Sequence, residues 1–315
     1  MPRITFGALI WWQGTKPDKI KSKLESLQHT ALKRVLSAFR YSPTKALEAI
    51  LATLPIAYRI EEAAIRTAKL LHDGGRWSPI DQGHSTINLI KETVPNNEPH
   101  LLMLMEAPSD RITPTYHLSN KCKTHIPSRS EWKSKTCTPY SKWITWYTDG
   151  SKDEEGNTGC AWLTGLPLRG SNEYLGNTTT VYQAEIMALI RCTEYMIHKD
   201  IKEVKIVIFT DSQAAIKALS KPMITSTLTL KCNELLNKLA TKNRYLTICW
   251  SPGHVGIPGS EKADRIAKEA MKKVKPEQEP WVPISFTTFK MEIKKVHPEQ
   301  IKAAMEGVRV DKQKK

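Results

Sequence analysis

Two stretches of the chain run through β-branched and aromatic residues straight into an acid. Trp143-Ile144-Thr145-Trp146-Tyr147-Thr148 leads to Asp149-Gly150-Ser151, and Val204-Lys205-Ile206-Val207-Ile208-Phe209-Thr210 leads to Asp211-Ser212. Runs of that composition read as strands. Strands that each end in an aspartate can present two carboxylates at one edge of a sheet, an oxygen-rich cluster of the kind that gathers hard divalent cations. A third acid, Glu185, lies in a helical stretch from Thr180 to His198, where its neighbours three and four residues away are Val181, Tyr182, Ala188 and Leu189. A carboxylate on so apolar a face needs a compensating partner or a metal ion. Each acid also has a plainer reading. Asp149-Gly150 is a common hairpin turn, Asp211 a helix N-cap, and Asp264 a favourable acid early in a helix that starts at Ser260.

The pattern around these acids predicts the elements that must position them. After the first strand, Thr158–Thr164 and Glu173–Leu175 complete a three-strand antiparallel meander. The helix Thr180–His198 follows, then the strand ending at Asp211, a short helix to Leu219 broken by Lys221-Pro222, and a helix from Ser226 to Ala240. Tyr245–Trp250 is the last strand. It opens into the glycine-rich loop Ser251-Pro252-Gly253-His254-Val255-Gly256-Ile257-Pro258-Gly259, and a final helix runs to about Val274. The order β-β-β-α-β-α-α-β-α predicts an α/β fold: a mixed five-strand sheet, three strands antiparallel and then two parallel, flanked by helices.

Upstream, residues 1–72 read as helical. Ile20, Leu24, Leu27, Ala31, Leu32, Val35, Leu36 and Phe39 recur at three and four. Ser42-Pro43 marks a helix start with Ser as N-cap, and Pro55 separates a third helix, Ile56 to Leu71. Residues 73–140 contain Pro79, Pro95, Pro99, Pro108, Pro114, Pro127 and Pro139. They predict a mostly irregular linker with a short helix near Leu101–Met105. After Pro276 comes a basic tail with weak helical character around Phe289–Val296 and a partly disordered end.

The net charge of +15 favours a polyanionic partner. By segment, residues 1–72 carry 12 Lys/Arg against 5 Asp/Glu, residues 73–140 carry 8 against 7, residues 141–273 carry 18 against 14, and residues 274–315 carry 9 against 6. Excess positive charge beside a carboxylate cluster suits a protein that holds a phosphate backbone while gathering metal ions. Six cysteines without a C-x-x-C pair argue against a zinc finger or a disulfide framework and for a reducing, intracellular location. Cys122 and His125 have ligand-like spacing, but no second pair answers them. No apolar run reaches about 18 residues, so no membrane span is expected. The apolar patch near Met1 lacks a small-residue cleavage site and is not read as a signal peptide.

Residues 141–274 resemble a type 1 ribonuclease H domain. Tyr147-Thr148-Asp149-Gly150-Ser151, Gln183-Ala184-Glu185-Ile186-Met187-Ala188-Leu189, Phe209-Thr210-Asp211-Ser212-Gln213, Trp250-Ser251-Pro252-Gly253-His254 and Gly259-Ser260-Glu261-Lys262-Ala263-Asp264 carry the likeness, in order and on the expected elements. The resemblance implies a ribonuclease H-like fold and endonucleolytic hydrolysis of the RNA strand of RNA/DNA hybrids. It implies two Mg²⁺ ions, with Mn²⁺ able to substitute, on Asp149, Glu185, Asp211 and Asp264, and a mobile catalytic histidine at His254. Ser151, Ser212 and Gln213 match family positions that contact the hybrid. No acid is substituted, so the resemblance is to a competent enzyme, acting as a monomer. The acid order argues against the related integrases.

Leu27-Gln28-His29-Thr30-Ala31-Leu32-Lys33-Arg34, Ser42-Pro43-Thr44-Lys45-Ala46-Leu47-Glu48-Ala49 and Leu54-Pro55-Ile56 resemble the thumb-like region that follows the reverse transcriptase core in non-LTR, LINE-like retrotransposon polyproteins. That likeness implies a C-terminal fragment, and no Asp-Asp pair of a polymerase palm occurs in the chain. No basic, Trp-rich insertion lies between Leu219 and Ser226, so the expected grip on substrate falls to residues 1–72 or to a partner. The alternative to an enzyme is a domesticated nucleic-acid-binding protein without relevant hydrolysis.

Overall fold

The computed structural model describes residues 5, 7–11, 17–74, 99–116, 120–133, 140, 142–165, 169–253, 256–272 and 282–295. His254, Cys137 and the tail beyond Lys295 lie outside them. The chain divides into two compact units, Met1–Ala107 with Phe289–Lys315, and Pro108–Thr288. No described helix is long and apolar enough to cross a membrane.

The first unit is helical: α1 Ala8–Trp11, α2 Asp18–Leu36, α3 Thr44–Ile50, α4 Ile56–Asp73 and α5 Pro99–Glu106. Pro43, not Ser42, stands at the N-cap of α3, and no side chain caps it. Gln28 ties α2 to the start of α4, donating to Leu54 O at 2.9 Å and accepting from Ile56 N at 2.6 Å. Lys69 is buried because its Nζ is saturated, by Met105 O at 3.1 Å, Ala107 O at 2.8 Å and Asp73 Oδ1 at 2.9 Å.

The second unit contains β1 Arg111–Tyr116, β2 Lys123–His125, α6 Arg129–Lys133, β3 Ile144–Lys152, β4 Thr158–Thr164, β5 Arg169–Tyr174, α7 Val181–His198, β6 Lys205–Thr210, α8 Gln213–Ser220, β7 Met223–Ser226, α9 Thr227–Lys242, β8 Tyr245–Trp250 and α10 Pro258–Met271. The helix α11, Phe286–Lys295, follows. The main sheet has six strands in the order β2-β8-β6-β3-β4-β5. β3, β4 and β5 pair antiparallel; β3–β6, β6–β8 and β8–β2 pair parallel. The mixed sheet flanked by helices agrees with the sequence reading, and β2 adds a sixth strand to the five expected. Three residues are too few to show a period of two, which is why the pattern does not reveal them. β1 and β7 form a separate two-stranded antiparallel ribbon, with Pro114 on β1. Proline is tolerated in a strand that is an edge. Within 73–140, therefore, the described residues hold one helix besides the expected one and two strands.

α7 packs on β3 and β4 from one side, with α9 against α7 and β8, and α10 packs against β3, β4 and β5. Every residue of β4 is buried, as a strand covered on both faces must be. A Cβ on Gly150 would overlap Ala184 and Glu185 N of α7, and one on Gly159 would overlap Ala267 O of α10. The two glycines sit on neighbouring strands, one register step apart, so the helices occupy opposite faces. The core on the α7 face gathers Trp146, Trp162, Ile186, Leu189, Ile206, Ile208, Leu236 and Ile248. Burying each such side chain contributes about 1.5–3 kcal/mol.

Candidate active site

Register brings the first two acids together. β3 and β6 pair in parallel from Ile144↔Ile206 to Tyr147↔Phe209. Asp149 and Asp211 each stand two residues past that last pair, so they emerge level with one another. Asp149-Gly150 is not a hairpin turn. β3 continues through Asp149↔Ala161 to Lys152↔Thr158, and the turn falls at Asp153–Asn157, where Asp153 N donates to Asn157 O at 3.0 Å. Asp211 is not an N-cap either. Ser212 takes that place and accepts from Ala215 N at 3.3 Å, leaving the Asp211 carboxylate uncommitted to the helix. Trp250 Nε1 donates to Asp211 O at 3.0 Å and fixes its backbone.

Glu185 enters from the second turn of α7. Gly150 admits that turn against β3 because it has no side chain to stand in the way. Thr210 Oγ1 donates to Glu185 Oε2 at 3.3 Å. One carboxylate oxygen from each of Asp149, Glu185 and Asp211 lies within 4.8 Å of the others. Asp264, on α10, joins from across the sheet's edge. It lines a cleft of about 20 Å³ with Thr148, Asp149, Asp211, Gly253, Ser260 and Glu261. A Cβ on Gly253 would lie 2.9 Å from Asp211 Oδ2, so a side chain there would have to displace that carboxylate.

The electrostatics follow from the crowding. Burial first, then the charges of Asp211 and Asp264, push the Asp149 carboxyl up to about 7, with Lys268 pulling the other way. Burial, then Asp149 and Asp211, raise Glu185 well above the ordinary carboxylate range. Asp149 Oδ2 is buried with no hydrogen-bond donor among the described residues. A buried acceptor without a donor, facing two other acids, is costly unless a cation supplies the missing charge. Among the described residues the clustered ligands are all oxygens, which fits a hard ion such as Mg²⁺ and disfavours a thiolate-seeking one.

The other candidates fall as follows. Ser151 is half-buried on β3. Ser212 spends its hydroxyl oxygen on the α8 cap, and Gln213 Oε1 accepts from Lys217 Nζ at 3.4 Å. His254 lies outside the described residues; beside it Gly256, at φ +80°, donates its N–H to Glu261 Oε1 at 3.0 Å. Lys268 holds Asp264 Oδ2 at 2.8 Å, and its spacing of four from Asp264 on a helix is the signal that marks it. Thr210, the donor to Glu185, carries no such signal beyond preceding Asp211. Cys122 and His125 do not converge. Cys122 packs into the core on the α7 face, where burial pushes its thiol up to about 12, while His125 Nδ1 meets the Tyr140 hydroxyl at 3.2 Å. Positions three apart along a strand point to opposite faces.

Residues 141–272 match the family described as RNase H. Among solved structures, the chain is similar to RNase H1 from the halophilic archaeon Halobacterium salinarum NRC-1, at 23% identity over 42% of this chain and 98% of that one, with a TM-score of 0.35.

Proposed function

We propose that the RNase H domain at residues 141–272 cuts the RNA strand of RNA/DNA hybrids with the help of two divalent ions. One observation carries the reading: three carboxylates from β3, α7 and the end of β6 converge around an Asp149 oxygen that no described residue satisfies. Asp149 would reach both ions, Glu185 and Asp211 would complete one site, and Asp264 the other. Bound there, Mg²⁺ supplies an activated water and neutralises charge on the leaving oxygen.

The protein's own groups prepare that place. Burial and the neighbouring acids favour the protonated form of Asp149, and a bound divalent cation would favour the ionised form. Thr210 holds Glu185 by its hydroxyl, Trp250 holds the backbone of Asp211, and Lys268 fixes one oxygen of Asp264. His254, next in sequence to Gly253, would relay a proton to the departing oxygen. Discrimination for RNA rests on 2′-hydroxyls in a wide minor groove, with Ser151, Ser212 and Gln213 as the contact candidates. Residues 1–72, with 12 basic against 5 acidic side chains, add grip on phosphate. The reading of those residues as the thumb-like part of a LINE-like retrotransposon protein is supported by the Ser42–Ala49 and Leu54–Ile56 motifs.

The test is incubation of the purified protein with end-labelled RNA/DNA hybrid, double-stranded DNA and double-stranded RNA, in Mg²⁺, Mn²⁺ or EDTA. The expected result is cleavage of the RNA strand of the hybrid alone and only with metal. Equal cutting in EDTA, or a folded protein that leaves the hybrid intact in Mg²⁺, overturns the reading.

A further inference from the structure

The first turn of α7 is held by two segments that lie on either side of residues 141–272. Gln183, two residues before Glu185 and buried, uses every hydrogen-bonding group of its amide. Its Oε1 accepts from Thr180 N at 3.1 Å while Gln183 N donates to Thr180 Oγ1 at 3.2 Å, which closes the cap of α7. Its Nε2 donates to Pro283 O at 2.8 Å and to Asp110 Oδ2 at 3.3 Å. The amide cannot be flipped, because the flip would set its oxygen against Pro283 O and its nitrogen against the Thr180 N–H.

Asp110 is equally committed. Its Oδ1 accepts from Ser226 Oγ and from Leu228 N, both at 2.9 Å, and so caps α9. Its backbone N–H donates to Ile284 O at 2.9 Å, its carbonyl accepts from Thr227 N at 2.9 Å, and Ile284 N donates to Pro108 O at 2.8 Å. Asp110 thus binds the start of α9 and, through Gln183, the first turn of α7 by its carboxylate, and the 283–284 segment by its backbone N–H.

We infer that Asp110 and Gln183 are positioning residues for Glu185, and that the segments 108–110 and 283–284 are working parts of the metal-binding site. The inference rests on the proposed role of Glu185 as a metal ligand. Glu185 is set against β3 by backbone contact at Gly150, so a shift of the first turn of α7 moves its carboxylate relative to Asp149 and Asp211.

The test uses the full chain with Asp110→Asn. Asparagine keeps an oxygen for Ser226 and Leu228 but turns an NH₂ group on the NH₂ of Gln183, so one link breaks and the α9 cap survives. The control is Asn243→Ala, which removes hydrogen bonds to Ile201 O and Leu239 O at the far end of α9. Magnesium is titrated for each protein by thermal shift and, below its melting temperature, by hybrid cleavage. Asp110→Asn should raise the magnesium midpoint on the order of tenfold, as loss of a group that orients a metal ligand does. Asn243→Ala should lower the melting temperature with the midpoint unchanged. A wild-type midpoint in Asp110→Asn overturns the inference and leaves Asp110 a helix cap. A wild-type protein without any magnesium response overturns the metal assignment itself, a distinct result. If Asp110→Asn does not fold, Gln183→Glu, which keeps the α7 cap but loses both outward donations, is read in the same assay by the same criteria.

Discussion

Asp110 and Asp149 are both 7% exposed, and burial pushes both carboxyls up. Their surroundings differ in kind. Asp110 is met by a backbone N–H, a serine hydroxyl and a glutamine amide, each of which pulls its carboxyl back toward the ionised form. Asp149 is met by two other acids and keeps one oxygen without a donor. Equal burial therefore yields a finished structural joint in one place and an unfinished site in the other. Satisfaction of the polar atoms, more than burial, separates a carboxylate that holds a fold from one that waits for a ligand.

The contrast breaks most sharply on activity. Asp149→Asn keeps the volume and removes the charge, and hybrid cleavage should fall about 10³-fold or more, measured as initial rate at saturating Mg²⁺. Loss of less than tenfold would put the charge of Asp149 outside the reaction.

Stability should then move in opposite directions. In EDTA, Asp110→Ala strands several buried donors and should cost about 3 kcal/mol, on the order of 10 °C in melting temperature. Asp149→Asn should melt at or above wild type, because it relieves repulsion. The sign follows from linkage. The Asp149 carboxyl, at about 7 in the folded chain and near the ordinary value when unfolded, holds a proton that the unfolded chain has already lost between about pH 4 and 7. The contribution of Asp149 to wild-type stability therefore falls as pH rises through that window and levels off above it, and the gap to Asp149→Asn opens over the same range. Melting curves from pH 4 to 8 give the answer; a gap that closes as pH rises contradicts it.

How much of this could be read from the chain depends on how far apart the partners lie. The acid-bearing strands and the Glu185 helix are legible because each carries its own pattern over six or more residues. Their convergence needs the register of β3 on β6 and the missing side chain of Gly150, and only the motif order hints at either. Asp149 looks like a turn residue because the pattern cannot show that β3 runs on to Lys152. Asp110 is silent in the sequence: Ser109-Asp110-Arg111 is an unremarkable polar stretch, and its partners are 73 and 118 residues away. Short β2 is hidden for the same reason, since its identity as a strand comes entirely from β8.

The finest change is Lys268→Ala. The pair with Asp264 is part-exposed, so its loss should alter stability by less than about 0.5 kcal/mol. Lys268 also holds the Asp149 carboxyl down. Its removal should therefore move the acid limb of the pH–rate profile upward, by a few tenths of a pH unit. An unmoved limb would mean that the titration seen in the rate is not that of the acid cluster.

The parallel pairing of His125 with Cys249 spans 124 residues of chain. During synthesis at about 5–20 residues per second, β2 leaves the ribosome roughly 6–25 s before the strand it pairs with exists. Asp110 waits longer still for Ile284. The joint that braces α7 thus closes after both the β2 edge and α10, and the acid cluster gains its final shape only when translation has passed the whole domain.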